Sequence, residues 1–292
     1  MRKFYNSNTL VNLSNSILKK FGLDTFHETI PEIDDAIKNH KKIVFLLFDG
    51  MGQNIVRYHL KEDGFIRSHY FHTINSVYPP TTSAATTSVL TGKFPIETGW
   101  LSWAQYFKDY DRNIILFRNI DYNTDEKIED DKGNIASCYF PNKTILDLLN
   151  EKGIKAFNVS NYPIQKDGPK NYRQCIKKVT KIQKSVDEDF MYFYWGYPDY
   201  QMHEYGIYHK KVNRECHKIE KFVKRLTKKN KDTLFITIAD HGHINAEYID
   251  ICEYSELYNC LSNKMTLEKR TPSFFVKKGR NCLFFRQFLL TS

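Results

Sequence analysis

The stretch IVFLLFDGMG (residues 43–52) decides the fold of this chain of 292 residues. Its first six residues, Ile43–Phe48, are all apolar and form a run of the length that a fully buried strand needs. Asp49 and Gly50 end the run, and a helix is predicted over about 53–61. A buried strand that leads through a polar turn into a helix is the unit from which parallel α/β sheets are built.

Short apolar runs alternate with helical patterns along the rest of the chain. The predicted strands are 113–117, 156–159, 190–195, 233–239 and 273–276, and the predicted helices are 83–90, 143–152, 172–184 and 212–229. This alternation predicts an α/β fold with a mainly parallel central sheet flanked by helices on both faces.

The sequence shows no internal repeat, no Gly/Ser linker and no sharp domain boundary. We therefore expect one domain over residues 1–292. Residues 121–137 are acidic and polar, without a helical or strand period. They indicate a small cap insertion at about 104–140.

The formal charge of +9 owes much to residues 210–231, which carry ten basic and two acidic side chains. The same segment places apolar residues at helical spacing, which is typical of a surface helix with solvated lysines. That stripe consists of Val212, Cys216, Ile219, Val223 and Leu226. Because no nucleic-acid motif accompanies the charge, we expect no specific nucleic-acid partner.

The compartment is predicted from the cysteines and from the apolar runs. None of the six cysteines forms a Cys-x-x-Cys pair, which disfavours a disulfide framework in a chain of this size. The N-terminal residues lack the apolar core of a signal peptide, and no apolar run approaches the roughly 20 residues that cross a bilayer. We expect a cytoplasmic protein without a membrane partner.

Carboxylates and imidazoles follow three of the predicted strands. In open α/β sheets ligands gather beyond the carboxyl ends of the strands. Each residue alone is as readily a turn or capping residue, but their joint occurrence indicates metal ligands. Oxygen and nitrogen donors without cysteine suit Zn²⁺ or Mn²⁺, and their number suggests two ions. The set is Asp49, Asp199, His203, Asp240, His241 and His243.

The segment YPPTTSAATTSVLTG (residues 78–92) offers a nucleophile. A hydroxyl in the first turn of a helix is favoured as an alkoxide by the helix N-terminus and by an adjacent cation, and the same amides favour a phosphate oxyanion. Thr81 and Thr82 are the candidates. The alternative is that one of them is an N-cap residue.

The order of these motifs along residues 43–276 resembles that of the alkaline phosphatase superfamily, and within it that of the nucleotide pyrophosphatase/phosphodiesterase-like metalloenzymes. The resemblance rests on the strand that ends in Asp49-Gly50, on a Pro-Thr segment followed by Thr91-Gly92, Pro95 and Gly99, on Pro198-Asp199-x-x-x-His203, and on Asp240-His241-Gly242. Counting back nine residues from Thr91 assigns the nucleophile to Thr82, with Thr81 as the adjacent candidate.

The resemblance implies a hydrolase of phosphodiester or nucleotide pyrophosphate substrates with two divalent ions, Zn²⁺ before Mn²⁺. Thr82 would attack phosphorus in line, and water would hydrolyse the resulting phosphothreonine. The substrate would be a small phosphoric ester or a nucleotide. One ion would be held by Asp49, Thr82, Asp240 and His241, and Asp199 and His203 would contribute to the other.

The sequence departs from the family pattern at one ligand. The family completes the second ion's shell with a histidine near the C-terminus, and this chain has no histidine after His243. We therefore expect either an incomplete C-terminal end or a replacement by His243, water or another residue. The alternatives to a phosphodiesterase are an impaired or non-catalytic binding protein and a phosphomonoesterase of the same superfamily. The absence of a Cys-x-Pro-x-Arg motif disfavours a sulfatase.

Overall fold

A computed structural model of the chain describes residues 8–131, 133–161, 167–184 and 189–291. Contacts divide the chain into two compact units. The first unit comprises Met1–Trp100 and Phe140–Ile244, and the second comprises Leu101–Tyr139 and Asn245–Ser292. The segment expected to form an insertion at 104–140 thus groups with residues from 245 onward, and the single-domain expectation stays a prediction.

The helices and strands are numbered in chain order. The strands are β1 (Lys42–Phe48), β2 (Ala104–Phe107), β3 (Arg112–Ile115), β4 (Ile120–Asp121), β5 (Lys155–Asn158), β6 (Asp189–Trp195), β7 (Thr233–Ile238), β8 (Thr266–Glu268) and β9 (Thr271–Ser273). The helices are α1 (Leu10–Lys20), α2 (Pro31–Ile37), α3 (Gln53–His59), α4 (Phe65–Ser68), α5 (Thr82–Thr91), α6 (Pro95–Thr98), α7 (Ile135–Tyr139), α8 (Ile145–Glu151), α9 (Tyr172–Gln183), α10 (Asp199–Tyr205), α11 (Lys210–Lys229), α12 (Ser255–Tyr258) and α13 (Asn281–Thr291), with a 3-10 turn at Ile251–Glu253.

The first unit is built on a parallel sheet with the strand order β5-β6-β1-β7. In the register of the sheet, Phe48 at the end of β1 pairs with Trp195 at the end of β6, and Leu47 pairs with Ile238 at the end of β7. The carboxyl ends of three neighbouring strands therefore lie side by side. The predicted α/β fold with a parallel sheet is confirmed.

Helices cover both faces of this sheet. Alternate residues of β1 and β6 pack against α1, α2, α5 and α8 on one face, and the residues between them pack against α3, α9, α10 and α11 on the other. Phe48, Phe193 and Phe222 contact one another on the second face, with ring centroids 5.5 to 6.2 Å apart. Burying a large apolar side chain contributes about 1.5–3 kcal/mol, so these two layers are the main source of stability.

The helix α11 is amphipathic, as its spacing predicts. Its apolar stripe is buried against the sheet, while most of its lysines and arginines are exposed. Its length of 20 residues does not make it a membrane helix, and no helix among the described residues is long and apolar enough to span a bilayer.

The second unit consists of short antiparallel strands and helices. It contains a three-stranded sheet, β2-β3-β4, and a hairpin of β8 and β9, with Leu257, Leu261 and Phe284 forming a small core. The strand predicted at 113–117 overlaps β3, whereas the strand predicted at 273–276 shares only Ser273 with β9, and both β3 and β9 belong to antiparallel pairs outside the parallel sheet. Short apolar runs occur equally in hairpins, and these two runs lack the long continuous apolar stretch of a doubly covered strand.

Candidate metal centre

Three predicted ligands lie at one edge of the sheet because their strands are parallel neighbours. Asp49 directly follows β1, Asp199 begins α10 after β6, and Asp240 follows β7. Backbone hydrogen bonds join two of these loops: the amide of Asp49 donates to the carbonyl of Trp195 (3.0 Å), and the amide of Asp199 donates to the carbonyl of Asp49 (3.1 Å). The fold thus brings together predicted ligands that lie up to 191 positions apart in the sequence.

Two glycines after β1 allow these loops to approach closely. Gly50 has a φ of +69°, and a Cβ there would lie 2.8 Å from Oδ1 of Asp199. A Cβ on Gly52 would lie 2.6 Å from the Cα of Gly242. Both distances are shorter than the closest non-bonded approach of a carbon atom to an oxygen or to another carbon atom. Any side chain at either position would therefore push the ligands apart.

Asp49, Asp240 and His241 form the first cluster, in which the ligand atoms lie within 4.8 Å of one another. Nε2 of His241 is 3.3 Å from Oδ1 of Asp49 and 3.6 Å from Oδ2 of Asp240. Ligand atoms on a tetrahedral Zn²⁺ lie about 2.0–2.2 Å from the ion and hence roughly 3.3–3.6 Å from one another. The first cluster therefore fits a divalent ion.

The hydrogen bonds of Asp240 support this fit. Its Oδ1 accepts hydrogen bonds from the amides of Gly50 (3.0 Å) and His241 (2.9 Å). Its Oδ2 is fully buried and accepts no hydrogen bond from any described residue. A buried carboxylate oxygen without a partner is costly, and a cation is the partner that would remove this cost.

The electrostatics of the first cluster also favour a cation. Burial, reinforced by the charge of Asp49, raises the pKa of Asp240 well above its usual range. Burial alone would lower the pKa of His241, but the charges of Asp240 and Asp49 outweigh burial and raise it well above its usual range. Nδ1 of His241 lies 2.8 Å from the carbonyl of Gly242 and donates to it, so Nε2 is the nitrogen that can ligate an ion once it has given up its proton.

Thr82 is the threonine that faces the first cluster. It is the first residue of α5, and its Oγ1 lies 3.3 and 3.4 Å from the two carboxylate oxygens of Asp49 and 3.2 Å from Nε2 of His241. Thr81 is the N-cap residue, with an extended backbone and a side chain that makes no capping hydrogen bond within the described chain. The geometry therefore favours Thr82 over Thr81 as the candidate nucleophile, and the role itself stays a prediction.

Asp199, His203 and His243 form the second cluster. Nε2 of His203, one turn along α10, is 3.3 Å from Oδ2 of Asp199, and Nδ1 of His243 is 3.2 Å from Oδ1 of the same carboxylate. Burial alone would raise the pKa of Asp199, but its hydrogen bonds with the two histidines hold it well below its usual range. The hydrogen bond with Asp199 raises the pKa of His203. Of the residues that the resemblance implies as metal ligands, Asp49, Asp240 and His241 thus lie in the first cluster and Thr82 lies beside it. Asp199 and His203 lie in the second cluster.

Two polar contacts of the centre are not apparent from the sequence. The buried hydroxyl of Tyr194 donates a hydrogen bond to Oδ2 of Asp49. Burial, followed by the charges of Asp49 and Asp240, raises the pKa of Tyr194 well above its usual range, so the hydroxyl keeps its proton. The second contact is from the side-chain amide of Asn54, which donates to the carbonyl of His243 (2.8 Å).

The parallel sheet and the two carboxylate–imidazole clusters beyond its strand ends can now be set beside known proteins. The chain belongs to the type I phosphodiesterase/nucleotide pyrophosphatase family, whose model matches residues 43–276. The resemblance found in the motifs is thereby confirmed. The family consists of metal-dependent hydrolases, which agrees with the presence of the two clusters.

Solved structures show the same fold. Murine ectonucleotide pyrophosphatase/phosphodiesterase 5 is 15% identical and superposes with a TM-score of 0.61 over 84% of this chain and 69% of that chain. An inactive threonine-to-alanine variant of the same murine protein, in complex with AMP, is 15% identical and gives a TM-score of 0.58 over 85% and 69%. At this identity the likeness establishes the fold alone. No curated protein matches the chain by sequence.

Proposed function

We propose that the protein hydrolyses phosphoric esters of the phosphodiester or nucleotide pyrophosphate type, with Thr82 as nucleophile beside a dinuclear metal centre. The observation that carries the proposal is the position of the Thr82 hydroxyl, 3.2 to 3.4 Å from atoms of His241 and Asp49. That position places a hydroxyl at the edge of a cluster suited to a divalent ion. It is the juxtaposition that phosphoryl transfer to a threonine requires.

The residues that would hold the ions follow from the two clusters. Asp49, Asp240 and His241, with Thr82, would hold one ion, and Asp199 and His203 would contribute to the other. Divalent ions bound there would acidify a coordinated hydroxyl and draw charge from the phosphoryl oxygens. The donor set contains no thiolate and favours Zn²⁺ over Mn²⁺.

The chain's own groups account for the first half of the reaction. Thr82 lies at the N-terminus of α5, a helix of ten residues whose first amides point towards an incoming anion. These amides stabilise negative charge on the phosphoryl oxygens while Oγ1 of Thr82 attacks phosphorus in line and the leaving alkoxide or phosphate departs on the opposite side. The phosphoryl group, with its remaining ester substituent, becomes bonded to Oγ1 of Thr82, and the hydroxyl proton passes to the departing group or to solvent. Water then attacks phosphorus, the bond to Oγ1 breaks, and a proton from the water restores the hydroxyl.

The murine relative supports this proposal. That protein is inactive when a threonine is replaced by alanine, and the inactive variant binds AMP. A small nucleotide is therefore a reasonable substrate class for this chain, and a threonine nucleophile is consistent with the same observation.

The test compares two neighbouring threonines. The protein loaded with Zn²⁺ or Mn²⁺ should hydrolyse bis(p-nitrophenyl) phosphate, and Thr82→Ala should abolish turnover because no hydroxyl remains to attack. Thr81→Ala is the matched control and should retain activity, since Thr81 is the N-cap residue and lies outside both clusters. Full activity of Thr82→Ala would refute the nucleophile assignment. Two bound ions without turnover of diesters, pyrophosphates or monoesters would instead favour the non-catalytic alternative.

A further inference from the structure

We propose that His243 is a direct ligand of the second ion, so that Asp199, His203 and His243 together hold it. This inference rests on the proposed metal centre and concerns the identity of one ligand within it. It gives the second ion one carboxylate and two imidazoles from residues 199–243, a donor set that Zn²⁺ accepts in sites with an open coordination position.

The distances within the second cluster carry the inference. The two imidazole nitrogens lie 3.3 Å (His203) and 3.2 Å (His243) from the carboxylate oxygens of Asp199, and the ligand atoms of all three residues lie within 4.8 Å of one another. The separation of 3.3 Å lies at the lower end of the roughly 3.3–3.6 Å expected between atoms that share a tetrahedral ion, and the separation of 3.2 Å lies just below it. The rings of His203 and His243 are 4.6 Å apart and nearly perpendicular, at 84°, so neither ring covers the other.

The backbone around His243 holds the imidazole in place. Asn54 on α3 donates a hydrogen bond to the carbonyl of His243, and Gly242 lies against Gly52. The side chain of His243 is 17% exposed, whereas that of His203 is 64% exposed. His243 is thus the more enclosed of the two histidines and is anchored to the same loop that supplies Asp240 and His241. A ligand anchored in this way loses little conformational entropy when an ion binds.

The alternative is that His243 only orients Asp199 through a hydrogen bond and never contacts the ion. Both roles place the imidazole beside Asp199, and the separations suited to a shared ion, together with the anchored backbone of His243, favour direct ligation. The two roles differ in what the ion experiences. The ring protons of a direct ligand lie close to the ion, so the ion shifts their resonances. An orienting residue affects the ion only through the carboxylate of Asp199.

The first measurement is the affinity for Zn²⁺. The full chain is stripped of metal with a chelator and titrated with Zn²⁺ in a calorimeter, and His243→Ala is compared with His217→Ala. His217 is a suitable control because it is an exposed histidine on α11 that also faces a carboxylate, Glu220, at 3.8 Å. We expect two ions in the wild type and in the control. His243→Ala should keep the first ion and weaken the second by at least about tenfold, because loss of even an outer partner costs 10–100-fold.

The second measurement identifies the ligand. In the Co²⁺-loaded protein, strongly shifted imidazole N–H proton resonances should arise from His203, His241 and His243, and one of the three should vanish in His243→Ala. Where the alanine variant fails to fold by circular dichroism, His243→Gln provides the same comparison. With both sites saturated by Co²⁺, a spectrum of His243→Ala that keeps all shifted imidazole N–H resonances would overturn the assignment of His243, whatever the Zn²⁺ affinity, and leave the proposed function intact. A wild-type chain that binds no ion would overturn both.

Discussion

Replacing Tyr194 with phenylalanine tests how strongly the centre depends on support from the sheet. Tyr194 lies on β6, only 7% exposed, and its hydroxyl donates to Oδ2 of Asp49. Phenylalanine fills the same space, so the substitution removes the hydrogen bond and leaves the packing of the ring unchanged. Any effect can then be attributed to the carboxylate that the hydroxyl holds.

The magnitude follows from the charge and burial of the bond. A hydrogen bond to a charged group contributes about 1.5–3 kcal/mol, and Asp49 is too buried for water to replace the lost donor. We therefore expect a loss of about 2 kcal/mol, which corresponds to roughly thirty-fold in the affinity for the first ion and in kcat/KM. That value lies within the 10–100-fold range typical of partners that orient a metal ligand.

The assay pairs Tyr194→Phe with Tyr172→Phe. Tyr172 packs on the opposite face of the sheet, and its hydroxyl donates to Oε1 of Glu215 at 2.5 Å, so the control loses the same kind of bond away from the centre. Urea denaturation without metal should show reduced stability in both variants, whereas Zn²⁺ affinity and diester hydrolysis should fall only in Tyr194→Phe. Wild-type affinity and kcat/KM in Tyr194→Phe, or an equal loss in both variants, would refute the reasoning.

Two further predictions concern packing and pH. Gly52→Ala should lower turnover and reduce the free energy of unfolding by about 1–3 kcal/mol, because its Cβ would collide with Gly242. Gly196→Ala is the control and should preserve turnover and stability, because a Cβ there meets only ordinary contacts. Equal turnover and equal stability of the two variants in urea denaturation would contradict the prediction. Burial raises the pKa of Asp189 to about 6, so the folded chain binds this proton more tightly than the unfolded chain. The free energy of unfolding should therefore fall by roughly 2 kcal/mol between pH 4 and 6, and Asp189→Asn, measured in urea across this range, should lose that slope.

The strands that carry the centre were predictable because they are buried on both sides. Their continuous apolar runs at 43–48, 190–195 and 233–239 match β1, β6 and β7 to within one residue at each end. Since the polar residues that follow such strands in a parallel sheet must meet at one edge, the neighbourhood of Asp49, Asp199 and Asp240 followed as well. The long helix α11 was equally apparent from the spacing of its apolar stripe.

Other features depend on tertiary contacts that no local pattern encodes. The strands β3 and β9 are too short to indicate whether their neighbours run parallel or antiparallel. Tyr194 sits within an aromatic run and looks like a core residue, and only the phase of β6 directs its hydroxyl towards Asp49. The sequence alone did not decide between Thr81 and Thr82, because the decision depends on the residue at which α5 begins. The convergence of His243 on Asp199 required the contact between α3 and the loop after β7.

The placement of β1 between β6 and β7 links ion binding to the folding of the whole first unit. Asp49 and Asp240 lie 191 positions apart, and an unfolded chain holds them together only at a large entropic cost. The centre is therefore complete only when β1 has paired with both β6 and β7. Ions that bind the folded chain alone would add about 1.4 kcal/mol of stability for each tenfold excess over their dissociation constant. Thermal denaturation would then report occupancy of the centre without any substrate.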